Sequence, residues 1–219
     1  MASEKLILGM AGTVPYYDEK IYLNPSLWQR IKMNLIDYRS LGYNQPIGQG
    51  AYFLFKGLQK YRAAGGESVE LKMWGNIDER YSALSKAYDI GDMIEIEGFI
   101  EKQDSLEKLK RCDVLVLTLS LGVNGNKPFP LPGKMFDYFH VGKPILALVE
   151  ESYCAEVLRG SGLAYIVDPK DQSAVAKVIE ELQKDKENLK NRFKINKEYL
   201  EQFEHKQMVK NMAAVLNSL

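Results

Sequence analysis

The sequence predicts an α/β protein, a Rossmann-like doubly wound parallel sheet of about six strands with C-terminal helices. Short β-rich runs recur along the chain, each followed by a stretch with helical spacing of apolar residues, the order in which a parallel sheet acquires its covering helices. Several runs, such as Val114-Leu115-Val116-Leu117 and Ile145-Leu146-Ala147-Leu148, are apolar at every position, as strands buried on both faces must be. With 219 residues and 46% hydrophobic composition, the chain can bury one substantial core.

In chain order, strands are expected at Lys5 to Gly12, Ser68 to Gly75, Met93 to Phe99, Asp113 to Ser120, Pro144 to Val149 and Ala164 to Asp168. Helices are expected near 49–64, 78–89, 104–111, 134–141, 152–160 and 171–185. Residues 13–46 separate the first strand from its helix by far more than the usual βα loop of about 2 to 6 residues, and read as an insertion. Its Tyr16, Tyr17, Tyr22, Trp28, Tyr38 and Tyr43 suit either packing or a stacking surface for sugars. Residues 186–219 carry Leu189, Phe193, Leu200, Phe203, Met208, Met212 and Leu216 on roughly one helical face, which predicts two C-terminal helices with a break near Phe203. They extend the domain of residues 1–185, because no internal repeat or low-complexity linker marks a second one.

The 29 basic and 29 acidic residues cancel, which disfavours nucleic acid and anionic membranes as partners. Cys112 and Cys154 have no companions at metal-ligand spacing, and neither an Asp-x-Asp clamp nor a His/Cys cluster is present, so no metal or cofactor is expected. His140, near a helix C-terminus, reads as a dipole partner and His205 as a surface residue; neither reads as a catalytic base, and the catalytic residue is left open. The start lacks the pattern of a signal peptide, and no run approaches the roughly 20 apolar residues needed to span a bilayer. A cytoplasmic protein is expected, with any membrane association held through a partner.

In an open parallel sheet, ligands bind where the loops converge at the carboxyl ends of the strands. After the fourth strand comes a turn-rich segment, Gly122 to Gly133, that delivers the chain to Lys134-Met135-Phe136-Asp137-Tyr138-Phe139-His140, an amphipathic helix closing at Gly142 with Pro144 beyond. Free N–H groups at that helix start, the local dipole and the Lys134 ammonium together would make an anion site sized for a diphosphate. Asp137, one turn on, shares nearly the same helix face.

Pro132-Gly133-Lys134-Met135-Phe136-Asp137-Tyr138-Phe139, followed by Gly142-Lys143-Pro144-Ile145-Leu146-Ala147, resembles the donor-site signature of retaining GT-B glycosyltransferases, within them the bacterial surface-polysaccharide branch. Leu71 to Gly75, Ile96, Gly98 and Phe99, and Gly160 to Ala164 with Val167-Asp168-Pro169 extend the resemblance over most of the chain. It implies that Asp137 holds the ribose hydroxyls of a nucleotide-diphosphate sugar and that Gly133, Lys134 and Met135 cradle the diphosphate. Gly12, Thr13, Gly98 and Phe99, at the ends of the first and third strands, are further expected donor contacts. The family commonly has Glu at the ribose position and a second Glu eight positions earlier, against the sugar; here these positions are Asp137 and Phe129. Lys20, Arg30 and Lys32 are the cations available after the first strand, where many relatives clamp the phosphates.

The resemblance implies one half of a GT-B fold, the donor-binding half of a retaining transferase acting on a glycan or lipid-linked acceptor. Its partners would be the nucleotide sugar and an N-terminal acceptor-binding domain not contained in this chain, which could hold it at the inner membrane face. Such a chain is expected to be inactive by itself. A non-enzymatic nucleotide-binding or regulatory domain and a GT-B sugar-nucleotide epimerase remain the alternatives.

Overall fold

A computed structural model describes residues 5–16, 44–45, 50–119, 121–122 and 131–217. Tyr17, Tyr22, Trp28, Tyr38 and Tyr43 of the insertion, the cations Lys20, Arg30 and Lys32, and Phe129 lie outside the described residues.

Each of the six expected strands is present, trimmed at its ends: β1 (Leu6–Ala11), β2 (Val69–Trp74), β3 (Ile94–Glu97), β4 (Val114–Thr118), β5 (Ile145–Leu148) and β6 (Ala164–Val167). They form one parallel sheet in the order β3-β2-β1-β4-β5-β6. The order reverses between β1 and β4, the switch point of a doubly wound sheet. Six helices alternate with the strands: α1 (Tyr52–Ala63), α2 (Arg80–Ala87), α3 (Lys102–Lys110), α4 (Gly133–Val141), α5 (Tyr153–Gly160) and α6 (Gln172–Lys184).

The two-residue period of a strand sends alternate side chains to opposite faces. Leu6, Leu8, Met10, Val114, Val116, Leu146 and Leu148 pack with α1, α2 and α6 in one core layer. Leu115, Leu117, Ile145 and Ala147 pack with α3, α4 and α5 in the other. Both layers meet β4 and β5, which is why those strands are buried at every position and apolar at all but Thr118. Toward the β3 edge the second face turns polar: Lys72 Nζ lies 2.6 Å from Glu95 and 3.3 Å from Glu70.

Side-chain caps set the starts of α5 and α6. Asp171 Oδ1 accepts from the Ala174 N–H at 2.9 Å at the head of α6, and Ser152 Oγ accepts from the Ala155 N–H at 3.4 Å at the head of α5. The head of α1 has no side-chain cap of its own. Its Ala51 N–H instead donates to the Tyr81 hydroxyl at 2.7 Å, and that hydroxyl donates to the Pro15 carbonyl at 3.0 Å. Tyr81, fully buried on α2, thereby ties the chain leaving β1 to the chain entering α1 and closes the neck of the insertion.

The C-terminal segment differs from the expected pair of helices. It comprises α7 (Leu189–Arg192), α8 (Lys197–Leu200) and α9 (His205–Asn217). The break near Phe203 is present, but a second one falls at Phe193–Asn196. There the Asn196 N–H donates to the Ser161 carbonyl at 2.8 Å, while Asn196 Oδ1 accepts from the Tyr199 N–H at 3.1 Å, so an external bond and a new cap replace helical continuation. Tyr199 then packs so closely over Gly160 that any Cβ there would strike its ring. Along α9, Met208, Val209, Met212 and Leu216 are 49%, 52%, 68% and 64% exposed, so its apolar stripe is uncovered. No helix among the described residues is long and apolar enough to cross a membrane.

Tyr81→Phe leaves the shape intact but strands the buried Ala51 N–H. Urea unfolding is expected to show a loss of about 1–3 kcal/mol. A loss within experimental error would show that the neck is held by other contacts.

Candidate functional site

At the carboxyl edge of the sheet, the ends of β1, β2 and β3 and the starts of α3 and α4 enclose a cleft of about 390 Å³. Gly12 and Thr13 form one lip, Phe99 the rim, Trp74 the floor, and Lys134 and Asp137 the wall. Five of the eight residues expected to hold a donor thus converge on one cavity.

Lys134 belongs there because α4 begins at Gly133, so its ammonium stands in the first turn, where the helix dipole already favours anions. Burial pushes that ammonium down to about 8, and among the described residues no carboxylate offsets the lost hydration. At neutral pH it is still protonated, a poorly hydrated cation facing the cleft. Asp137, one turn later, pairs with Lys102 Nζ at 2.9 Å across from the head of α3. With 73% of Lys102 and 34% of Asp137 exposed, the pair contributes about 0–1 kcal/mol and yields readily to a competing donor.

The glycines at the strand ends make the lip. The Gly12 N–H donates to the Trp74 carbonyl at 2.9 Å, and the Gly75 N–H to the Gly98 carbonyl at 3.1 Å, so three strand ends are laced together. Gly75 has φ +116°, and a Cβ on it would run into the Gly12 carbonyl. The remaining expected contacts fall elsewhere. Gly98 serves this lacing and does not line the cleft. Gly133 is exposed at the start of α4. Met135 is fully buried in the second core layer, and its N–H donates to the Pro132 carbonyl at 3.0 Å, so neither its side chain nor its amide faces the cleft.

Sequence reasoning missed Trp74, Lys102 and Tyr138. Trp74 is buried, with Nε1 donating to Glu97 at 2.9 Å. The fully buried Tyr138 hydroxyl accepts from the Ala11 N–H at 3.3 Å and donates to the Val116 carbonyl at 3.1 Å, and burial holds its phenol far above the usual range. Only Tyr138 carried a signal: it follows Met135 by three residues on the apolar side of α4, an aromatic residue whose hydroxyl needs a buried partner.

The reversed strand order and this cleft define a Rossmann-like domain of the kind that builds GT-B glycosyltransferases. The chain belongs to the glycosyl transferases group 1 family, whose model matches residues 50–199. No curated protein matches it in sequence. Among solved structures, Anabaena Alr3699/HepE in complex with UDP-glucose aligns with a TM-score of 0.63 at 13% identity, over 98% of this chain and 49% of that one. The lipopolysaccharide outer core galactosyltransferase WaaB aligns with a TM-score of 0.62 at 14% identity, over 100% and 51%. S. aureus MnaA bound to UDP aligns with a TM-score of 0.56 at 15% identity, over 99% and 46%. These likenesses are of fold, and the chain spans about half the length of the structures it matches.

The Lys134 amine, followed by NMR and assigned through Lys134→Arg, is expected to titrate near 8, well below the ordinary lysine value of 10.5. The unfolded chain binds more protons than the folded one between those values, so this group makes stability rise with pH across that window. Titration at the ordinary lysine value would show the ammonium to be solvated.

Proposed function

We propose that this chain is the donor-binding half, the C-terminal one, of a retaining GT-B glycosyltransferase that takes its sugar from a nucleotide diphosphate. The observation that carries the reading is the joint placement of Lys134 and Asp137 on the first turns of α4, facing the Gly12–Thr13 lip across one cleft at the switch point. Lys134 and the dipole of α4 would neutralise the departing diphosphate, with no metal called upon. Asp137, released from Lys102, would accept from two ribose hydroxyls. The acceptor, a glycan or lipid-linked saccharide of bacterial surface-polysaccharide assembly, would enter from a second Rossmann-like half, leaving this chain cytoplasmic and at most peripheral to the membrane. The UDP-glucose bound by HepE and the UDP bound by MnaA support the ligand class.

Calorimetry with UDP, UMP and uridine tests the site. Lys134→Ala is expected to weaken UDP far more than uridine, because its partner is the anionic bridge. Asp137→Asn is expected to weaken UDP by about tenfold, and 2′-deoxy-UDP by less, since a charge-assisted hydrogen bond contributes about 1.5–3 kcal/mol. Equal losses across all ligands for either variant would remove that residue from its role. Robust sugar transfer by the chain alone would overturn the half-enzyme reading.

The α9 stripe is the surface we assign to the second half. Light scattering is expected to show the chain alone self-associating at high concentration, and Met212→Lys to restore the monomer. A monomeric wild type with slow amide exchange throughout α9 would mean that the helix needs no cover.

A further inference from the structure

We propose that Tyr138 is the positioning residue of the cleft: its buried hydroxyl replaces a ladder bond between β1 and β4 and so fixes the Gly12–Thr13 lip against the α4 face that carries Lys134 and Asp137. This rests on the reading of the cleft as a nucleotide-diphosphate site.

The register shows where the replacement falls. β1 and β4 pair at Leu8 with Val114 and at Gly9 with Leu115, and the pairing then stops, although β1 continues beside β2 as far as Ala11 with Trp74. In a parallel ladder continued by one step, the Ala11 N–H would donate to the Val116 carbonyl. The Tyr138 hydroxyl stands between those two groups, accepting from the first at 3.3 Å and donating to the second at 3.1 Å. The hydroxyl is a single-atom spacer that keeps the strands apart and both backbone groups satisfied, which a water or a phenylalanine ring could not do with a fixed geometry.

The spacer is attached to the site. Tyr138 is one residue after Asp137 and four after Lys134, so the ring that wedges the strands is rooted in the same turns of α4. At its other end, the Ala11–Gly12 segment is held from both sides: the Ala11 N–H by Tyr138 and the Gly12 N–H by the Trp74 carbonyl. The width of the cleft between lip and helix is therefore set through this one hydroxyl. A phenol that only filled the core would gain nothing from its oxygen and would bear the cost of desolvating it.

The test is Tyr138→Phe in this chain, with UDP affinity measured well below the melting temperature. Loss of the spacer is expected to weaken UDP by about tenfold or more. The circular dichroism should be retained, and the Gly12 and Thr13 amide resonances should shift. 4-Aminophenylalanine at position 138, which still donates toward Val116, should recover part of the affinity. Should Tyr138→Phe not fold, that variant is read directly against the wild type: its poorer acceptor must still cost affinity, and unchanged affinity overturns the proposal. A Tyr138→Phe protein that melts earlier yet binds UDP within about twofold of wild type would make the hydroxyl merely structural. If the wild type binds no UDP, or Lys134→Ala binds it as the wild type does, the reading of the cleft fails and this inference falls with it.

Discussion

The architecture turns on the parting of β1 and β4. Adjacent in the sheet, they feed helices on opposite faces, α1 in one core layer and α4 in the other, and their pairing stops at Gly9 and Leu115. A crevice opens there, at the switch point of the sheet. Both strands lead into long connections, residues 12–51 after β1 and 119–132 after β4. The two connections meet: Asn44–Gln45 at the end of the first pairs antiparallel with Leu121–Gly122 at the start of the second. Lacing by Gly12, Gly75 and Gly98, the Tyr81 neck and the Tyr138 spacer are three answers to one problem, which is to satisfy backbone groups where regular pairing ends.

The charges in the crevice follow from how deeply each is sunk. Lys134 is partly buried and loses hydration, so an anion beside it meets a cation less screened than one in a surface pair. Lys102 and Asp137 sit nearer the solvent and hold each other weakly. The contrast is one of environment: the partly desolvated cation is held apart from water, and the outer pair can rearrange at little cost. Lys134 lowers stability wherever it must stay protonated and desolvated, a cost of the kind binding sites carry and cores do not.

Most of the fold was legible because periodicity is local. β4 and β5 declared themselves as central strands through uninterrupted apolar runs, and the covering helices through the apolar spacing between strands. Lys134 and Asp137 were legible as an i, i+3 pair on a helix after a turn-rich segment. The same periodicity excludes Met135 from the cleft: with Tyr138 and Phe139 it forms the buried side of α4, one step round from the pair. What escaped was long-range. Nothing local to Lys102 announces Asp137, 35 positions away, nor does Tyr138 announce Ala11, 127 positions away. The second break in the C-terminal segment escaped for the same reason, since its cause is the Ser161 carbonyl on another element.

The C-terminal segment connects the outer surface to the site-bearing helix by a short path. Leu189 and Phe193 pack on the first core layer, and Tyr199, Leu200 and Phe203 on the second, so the strap grips the domain at two separate places before α9 begins. Phe203, the last of these, packs at a tilt against Phe136 at 5.8 Å between ring centres, and Phe136 meets Phe139 edge-on at 6.0 Å. Phe136 lies between Met135 and Asp137 on α4, so one aromatic layer separates the root of α9 from the wall of the cleft. The exposed stripe on α9 thus begins just beyond a ring contact with α4, the helix that also carries Lys134 and Asp137.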